Sequence, residues 1–575
     1  MKKLTFLALA LLLAVSCVLM LPTEAQAARV ASGYCASGDA LMWWLEDNGT
    51  LTICGTSPFA NSMGNYREGE FPWQKLKQDI TTLVIMDGAL TVSDHAFSDC
   101  DNLTSVTFPK GLESIGASAF WGCCALTEIH ISAKVNRIGD KAFFACSSLQ
   151  GIYVDESNPY FCNDSYGVLY NKDMTELIAV PGGFSGTYII PSTVTRIHDY
   201  AFSRCRQLTG IEIPSSVSSI GKGAFEGCSA LTKVTLPDSI ISIGESAFAD
   251  CTDLTSINIP AGVTALQSQT FSNCSALTDV SLSNGLTVLG AAFQYCTALE
   301  KIVIPSTVNE IGVAFAYCTS LKEVNIPNGV TGIVIETFLG CSSLTSIVIP
   351  EGVTHIDHRA FQDCTALAHI SLPESLTTLK DQAFLNCTAL TSLDLPNAIT
   401  DMGKETFKNC TSLTEVDLPT SITVLNSGVF MGCSSLVQIT IPEGVTLISV
   451  GAFDGCTALT AVTVPASITA IEEAAFKNCT NLWHILYTGT EAAWTTVTAG
   501  VDNTTMEQAL VHYGCKGTEV TDPIAKKCSI CHVEEIPTPT PAPPKNDFPI
   551  GIVIVIVVIA IGGAAAFAVF RKKKQ

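Results

Sequence analysis

Apolar residues recur along most of this chain at fixed positions of a unit of about 23 residues. In the unit that begins at Cys228, Leu231, Val234 and Leu236 follow the spacing L-x-x-V-x-L, with polar residues beside the last two. This alternation is typical of a short strand with one buried face. Pro237 comes next and ends the strand, because proline has no N–H to donate to a ladder. Each unit is therefore predicted to contain a short strand followed by a turn.

A Phe-x-x-Cys pair marks each boundary between units, with its Phe near the end of one unit and its Cys at the start of the next. It occurs sixteen times between Phe97 and Cys479, almost always with a step of 23 residues, which shortens to 22 in the two units between Cys274 and Cys318. A unit of this length cannot bury its own apolar residues and has no room for an ordinary helix, so the copies must stack on one another. We expect a repeat solenoid that is mainly β and has few or no helices.

The full motif, L-x-x-I-x-I-P-x-x-V-x-x-I-G-x-x-A-F-x-x-C, resembles a leucine-rich repeat and is similar to the BspA-like (Treponema pallidum type) class of bacterial surface proteins. The resemblance covers roughly residues 28 to 530 and extends to a non-repeat stretch in which 154–160 and 167–173 look like a decorated coil of that family. It implies a leucine-rich-repeat ribbon that acts in surface adhesion and binds host or extracellular-matrix proteins. It implies no shared catalytic residues.

Both ends of the chain carry export signals. Residues 1–27 have the charged start, apolar run and small-residue cleavage site of a signal peptide. Residues 550–570 contain no charge and are long enough for one membrane-spanning helix, and the basic tail at 571–575 is expected in the cytoplasm. A Pro-rich spacer at 536–549 precedes the membrane, and no L-P-x-T-G-like motif is present. We therefore expect a single-pass protein at the cell surface, with its N-terminal bulk outside.

Between these ends we expect three regions. The first is an N-terminal β cap at 28–88, in which two strands joined by Asp47-Asn48-Gly49 form a hairpin able to bring Cys35 and Cys54 within bridging distance. The second is the solenoid at 89–485, with irregular coils at 147–190. The third, at 486–535, is a C-terminal cap with a Cys-containing module. Caps are expected because the open end of a solenoid exposes apolar surface.

The net charge limits the classes of ligand, and the positions of the cysteines indicate whether they form disulfides. The net charge of −22 argues against binding to nucleic acid or to anionic membrane surfaces. Twenty-four cysteines in an exported chain suggest disulfides, but sixteen of them occupy one position per coil. Stacking aligns those sixteen with parallel Cβ vectors, which is a poor geometry for a bridge. We favour buried free thiols, with scattered bridges as the alternative and a redox or metal role as the least favoured interpretation.

Near the C-terminus, four residues have the spacing of metal ligands. They are Cys515, Cys528, Cys531 and His532, with His512 as an alternative to His532. A disulfide within this group and unpaired thiols both remain open, and a structural role is expected in either case. The sequence is therefore a weak candidate for a zinc site, and we expect no cofactor.

The sequence lacks the nucleophile elbow, the His-Glu-x-x-His motif, the phosphate-binding loop and the Rossmann fingerprint. His355 and His358 form a His-x-x-His pair in the turn-rich part of a unit, which we interpret as surface decoration, with metal binding as the alternative. We therefore expect no enzyme.

The polar residues beside the buried strand positions are the candidate binding row, because they form the concave face of a leucine-rich solenoid. They are Glu128, His130, Tyr153, Glu212, Lys233, Asp279, Lys301, Glu323, Asn325, His369, Asp394, Glu415, Asp417 and Gln438. A flat polar row suits protein or glycan ligands held by many modest contacts. Tyr153 is the only Phe, Tyr or Trp in the row, which weakens a carbohydrate-stacking hypothesis.

A second candidate surface is the aromatic group of the irregular coil. It contains Tyr160, Phe161, Tyr166 and Tyr170, for which core packing and an exposed contact patch are both open. Taken together, these features predict a cell-surface adhesin or binding protein for an extracellular protein or glycan. The alternatives are an envelope spacer without a specific ligand and, less favoured, a surface hydrolase with an unrecognised site.

Overall fold

Each regular repeat folds into one coil that contributes a strand to each of two parallel ladders. The computed structural model describes residues 27–514, except 36–39, 57–60, 65, 66 and 68. Over this range the chain is a mainly β solenoid, which confirms the predicted fold class. Hydrogen bonds group the strands into sheets of two to six members.

The first ladder is built from the L-x-x-V-x-L segments. Its strands are Thr82–Ile85, Ser105–Thr107, Glu128–Ile131, Gly151–Val154, Ser185–Ile189, Gln207–Glu212, Lys233–Val234, Ser256–Asn258, Asp279–Ser281, Lys301–Ile302, Glu323–Val324, Ser346–Val348, His369–Ser371, Ser392–Asp394, Glu415–Asp417, Gln438–Thr440, Ala461–Val464, His484–Tyr487 and Leu510–Tyr513. Buried and exposed side chains alternate along most of these strands, so one side of the ladder faces the core.

The second ladder follows the proline turn. Its strands are Asn61–Ser62, Ala89–Val92, Ser114–Ile115, Arg137–Ile138, Glu176–Ala179, Arg196–Ile197, Ser219–Ile220, Ser242–Ile243, Ala265–Leu266, Val288–Leu289, Glu310–Ile311, Gly332–Ile333, His355–Ile356, Thr378–Leu379, Asp401–Met402, Val424–Leu425, Leu447–Ile448, Ala470–Ile471 and Thr498–Ala499. Most of them have only two residues, because a 23-residue coil must also contain three turns.

Phenylalanine rings stack in a column through the core. From Phe202 to Phe476, neighbouring rings have centroids 4.8–6.1 Å apart and planes within 19° of parallel. These separations lie in the favourable range for offset aromatic pairs. The repeated Phe is therefore both a buried apolar residue and a contact between successive coils.

The repeat cysteines are buried and carry free thiols, in agreement with the favoured interpretation of the sequence. They also make a hydrogen bond that the sequence did not predict. The Cys318 thiol donates to the Phe293 carbonyl oxygen of the preceding coil (3.0 Å), and the bond recurs from Cys341 to Phe315 (3.2 Å). Burial raises the pKa of the Cys318 thiol to about 12, so the proton that this bond needs is retained.

The two 22-residue coils are shortened in the turn that precedes Phe. In a regular coil the Ala247 N–H donates to Gly244 O, three residues back, and Ser246 between them has a left-handed φ of 55°. In the first short coil the Ala292 N–H donates to Gly290 O, only two residues back. The missing residue is thus the left-handed one, and the Phe and Cys columns continue without a gap.

The N-terminal cap is an antiparallel meander of Arg29–Tyr34, Leu41–Glu46 and Thr50–Gly55, and its last strand pairs in parallel with Thr82–Ile85. The predicted hairpin is therefore present and extends the first ladder. A 3₁₀ helix, Gln74–Asp79, leads into that ladder. Cys35 is a buried free thiol, so the bridge considered from sequence is not formed.

At the C-terminal end, the strands His484–Tyr487 and Leu510–Tyr513 continue the first ladder. Two one-turn helices, Glu491–Trp494 and Thr504–Glu507, lie between them. The Thr490 hydroxyl accepts the Ala493 N–H (3.2 Å) and so caps the first helix.

The irregular coil inserts a meander into the second ladder. Strands Phe161–Asn163, Leu169–Asn171 and Glu176–Ala179 pair antiparallel, and the last of them then pairs in parallel with Arg196–Ile197. The buried apolar residues divide into two clusters at this point, one running from the N-terminal cap to Leu169 and the other from Val168 to the C-terminal cap. The solenoid therefore has two cores that meet at the irregular coil.

Among the described residues, no helix is long and apolar enough to cross a membrane. The predicted signal peptide (almost entirely), spacer, membrane-spanning segment and basic tail all lie outside the described residues, and so does most of the Cys-containing module.

Candidate binding face

The predicted binding row lies along the first ladder, and every residue of it is exposed. We call this exposed side of the first ladder the strand face. The row has members on both sides of the irregular coil, from Glu128 and His130 to Asp417 and Gln438. Successive coils stack about 4.8 Å apart, so the strand face is long and shallow.

An aromatic pair occupies the N-terminal part of the strand face. The rings of His130 and Tyr153 have centroids 5.3 Å apart, and the Glu128 carboxylate lies 3.5 Å from the His130 Nε2. The Tyr153 ring folds back over Gly151, where an added Cβ would come within 2.5 Å of the hydroxyl oxygen. Glycine at 151 thus leaves room for the tyrosine ring beside the histidine.

Ion pairs and an asparagine side chain that bonds both backbone groups of a residue in the preceding coil, which we call an amide clamp, occupy the centre of the strand face. Lys301 and Glu323 pair across neighbouring strands, and the hydrogen bond from Lys301 lowers the pKa of Glu323. The Asn325 amide donates to Ile304 O (2.8 Å) and accepts the Ile304 N–H (2.8 Å). Asn325 was predicted as a ligand contact, but its polar atoms are engaged with the backbone of the preceding coil.

Beside this clamp, the strand face has a depression of about 900 Å³. Val303 and Val348 line it and are 62% and 67% exposed. Sequence reasoning missed both valines, because valine in a β repeat is expected in the core. Their position in the unit was the available signal, since Thr235 and Ser281 occupy the equivalent place in other coils.

Carboxylates dominate the C-terminal part of the strand face. Asp394 and Asp417 stand opposite each other in the ladder, Ser392 stands opposite Glu415, and all four are exposed. Like charges in register repel each other, so this stretch favours a positively charged partner.

The aromatic group of the irregular coil is divided. Tyr170 is fully buried, and its hydroxyl forms a hydrogen bond with that of Tyr188, which in turn donates to the Asp164 carboxylate (2.6 Å). Phe161 is half-buried, whereas Tyr160 and Tyr166 are 51% and 62% exposed. Core packing therefore explains one half of the group, and the other half is available for contact.

A groove of about 650 Å³ lies on the turns that follow the second ladder. A chain of polar side chains runs along it: Arg359 bonds Glu336 (3.4 Å) and Gln382 (2.9 Å), and Gln382 donates to Glu405 (2.8 Å). Hydrogen bonds from Lys408 and Gln382 lower the pKa of Glu405. Because these groups bind one another, they hold successive turns together and leave little free bonding capacity for a ligand.

The structure brings no group of three or more metal-ligating side chains together within the described residues. His355 is next to Thr354, whereas His358 lies 4.0 Å from Asp381, so the two histidines have separate neighbours. The candidate ligands Cys515, Cys528, Cys531 and His532 lie outside the described residues.

The alternative ligand His512 forms a buried imidazole pair in the C-terminal cap. Its Nε2 lies 3.0 Å from the Nδ1 of His484, which sequence reasoning did not connect with it. Burial lowers the pKa of both imidazoles, and for His484 the neighbouring His512 lowers it further.

Stacked coils with buried Leu, Phe and Cys positions and an exposed strand face define a leucine-rich-repeat solenoid. The family model for the BspA type leucine rich repeat region (6 copies) matches residues 74–177, 186–291, 290–413 and 355–483, which together are more than half of the chain. The chain belongs to this family. Its members are typically surface-associated and generally involved in binding or adhesion.

Several solved structures are similar to this chain. A leucine-rich repeat protein from Eubacterium ventriosum is 24% identical, with 68% of this chain and 97% of that chain covered and a TM-score of 0.33. A leucine rich cell surface protein from Faecalibacterium prausnitzii is 23% identical (81% and 98% covered, TM-score 0.31). A leucine-rich repeat protein from Bacteroides ovatus is 21% identical (77% and 95% covered, TM-score 0.38). No curated protein sequence matches the chain.

Proposed function

We propose that this protein is a cell-surface adhesin, a binding protein without catalytic activity that holds an extracellular protein or glycan on its strand face. The observation that carries the proposal is the exposure of every residue of the predicted row along the first ladder. Such a surface gives many modest contacts over a large area, which suits a macromolecular ligand better than an enclosed small molecule.

The contrast between the buried and the exposed positions of the repeat also supports this proposal. The repeated Leu, Phe and Cys are used in the core, so they are the same in every coil and carry no information about a ligand. The strand face differs from coil to coil, with an aromatic pair, a central depression and an acidic stretch along its length. A spacer that binds nothing has no need of such differences.

We also propose that residues 550–570 anchor the protein in the membrane and that the basic tail stays in the cytoplasm. Support for this comes from the sequence, which has 21 uncharged residues followed by Arg571 and three lysines. Ending the chain after residue 549 is expected to release the protein into the culture medium, whereas the full chain sediments with membranes. Retention of the shortened chain by membranes would contradict the proposed anchor.

The binding proposal is tested with the purified full chain on arrays of extracellular-matrix proteins and glycans. We expect saturable binding to at least one ligand, and we expect Asp394→Ala/Asp417→Ala to weaken it. Glu113→Ala/Glu310→Ala is the matched control, because these exposed carboxylates belong to the second-ladder side of the coils. No saturable ligand, or equal loss in both variants, would favour the spacer.

A further inference from the structure

Two coils on the strand face share an unusual backbone arrangement but differ in the residues around it. At Asn325 the side-chain amide bonds both backbone groups of Ile304, and at Asn258 it bonds both backbone groups of Leu236 (3.3 and 3.1 Å). In each case the asparagine side chain takes the place of a strand-to-strand hydrogen bond.

The flanking residues differ between these two places. Asn258 lies between Thr235 and Ser281, whereas Asn325 lies between Val303 and Val348. Small polar residues are thus sufficient beside such a clamp, and the valines are not needed to build it. Leaving two valines more than 60% exposed has a cost in water, which points to a use outside the fold.

The lysines, Glu323, Asn325 and Glu351 of the depression are already engaged within the molecule. Lys301 pairs with Glu323, Lys322 pairs with Glu300 (2.9 Å), and Asn325 is bonded to the backbone. Glu351 accepts the Glu374 N–H (3.2 Å). The depression therefore offers a partner exposed apolar surface beside two lysines that are already paired with carboxylates.

The surface beside the depression is acidic. The coils that follow it carry Asp394, Glu415 and Asp417, which are all exposed, and Asp394 stands in register with Asp417. Asp394 is two coils beyond Ser346–Val348, about 10 Å along the ladder at 4.8 Å per coil. A complementary partner thus presents an apolar anchor to the valines and basic side chains to the adjacent carboxylates.

We infer that the depression between Val303 and Val348 is the anchor point for a protein ligand, which inserts an exposed aliphatic or aromatic side chain flanked on one side by Lys or Arg. This rests on the proposed binding function and deepens it. A glycan fits less well, because no Phe, Tyr or Trp lines the depression and its lysines and Asn325 are already bonded within the molecule. Buried apolar anchors at the centre of an interface carry most of its affinity.

The test uses the full chain and its Val303→Thr/Val348→Thr variant on the same protein and glycan arrays. Threonine is close in shape to valine and favours strands, so the fold is expected to be unchanged, which the thermal midpoint by circular dichroism checks. We expect at least a tenfold weaker affinity for the protein ligand. The matched control is Thr235→Ala/Ser281→Ala beside the other clamp, with an expected change below twofold.

A second variant separates the charge from the anchor. Asp394→Asn/Glu415→Gln/Asp417→Asn is expected to slow association at low salt and to flatten its salt dependence, with a smaller effect on dissociation. Equal affinity of the valine variant for a protein ligand overturns the anchor but leaves the binding function intact. Binding to glycans alone does the same, whereas the lack of any ligand overturns both.

Discussion

The regular coils and the irregular coil satisfy their backbones in different ways. In a regular coil, a thiol or hydroxyl reaches a carbonyl of its neighbour at a fixed spacing, as Cys364 does to Phe338 O (3.2 Å) and Thr354 to Thr331 O (3.3 Å). In the irregular coil the ladders lose their register, and buried polar side chains form hydrogen bonds to the backbone groups instead. Asn158 is the clearest of these, because it makes four hydrogen bonds to backbone groups.

This difference shows that a stacked neighbour supplies hydrogen-bond partners that a non-repeating coil must provide from its own side chains. A regular coil reuses the same few residues because its neighbour is identical. The irregular coil has no such neighbour and needs residues particular to each position. Asn171 is an example, because its side-chain Oδ1 accepts the Thr175 and Glu176 N–H groups (2.9 Å each). Mutations in the two regions should therefore differ in how much stability they remove and in how far the loss spreads along the chain.

The largest effect is expected in the regular coils. Phe338→Ala removes a fully buried ring that lies 5.6 and 5.2 Å from its two neighbours in the column. We expect a loss of about 4 kcal/mol, felt by several coils on either side, because the column is continuous. Hydrogen exchange along the chain measures how far it spreads. Phe338→Leu keeps much of the volume and should cost less; an equal cost would show that burial volume is not the reason.

A somewhat smaller and more local effect is expected in the irregular coil. Asn158→Ala leaves the carbonyls of Ser132 and Val135 and the N–H groups of Tyr160 and Phe161 without their partner. We expect about 3 kcal/mol, confined to exchange around residues 130–165. Asn102→Ala is the control, because Asn102 is exposed and makes one bond to Gln78 O (2.8 Å). Spreading of the Asn158 effect into the regular coils would contradict the separation of the two regions.

A fall in pH is expected to destabilise the C-terminal cap before it affects the regular coils or the irregular coil. The pKa values of His484 and His512 are lowered in the folded cap, so below about pH 6.5 the unfolded chain takes up protons that the cap resists. The free energy of cap opening therefore falls as pH drops. Faster exchange of residues 484–513 at pH 5 than at pH 7, after correction for intrinsic rates, is the expected result, and His484→Phe should reduce it because only His512 then remains.

The smallest effect is expected from a single thiol. Cys318→Ala removes a buried sulfur and its bond to Phe293 O. Because a thiol is a weak donor, we expect a loss of about 1 kcal/mol in urea unfolding. A loss as large as that of Phe338→Ala would mean that the cysteine column holds the coils together as strongly as the phenylalanine column.

Much of the regular solenoid was predictable because one period fixes both the core and the strand face. The sixteen Phe-x-x-Cys pairs located the coils, and L-x-x-V-x-L located their strands. The thiol bond was not predictable, because it joins atoms of two coils whose relative height the period does not specify. The role of Asn325 and the exposure of Val303 and Val348 also depend on that stacking.

The irregular coil was recognised by the absence of the period, and for that reason its interior was not predictable. Nothing in the spacing of Asp164, Tyr170 and Tyr188 shows that they meet in a buried hydrogen-bonded group. The pairing of His484 with His512 was missed for the same reason, since 28 residues separate them.

The central claim is that the repeated residues form a buried frame and leave the positions between them for binding. Alkylation of the folded chain, followed by unfolding, a second label and peptide mapping, tests it most directly. Among the described cysteines, exposed Cys124 should take the first label, and the sixteen repeat cysteines should take only the second, as free thiols. Repeat cysteines that react in the folded chain, or that are recovered in disulfide-linked peptides, would contradict it.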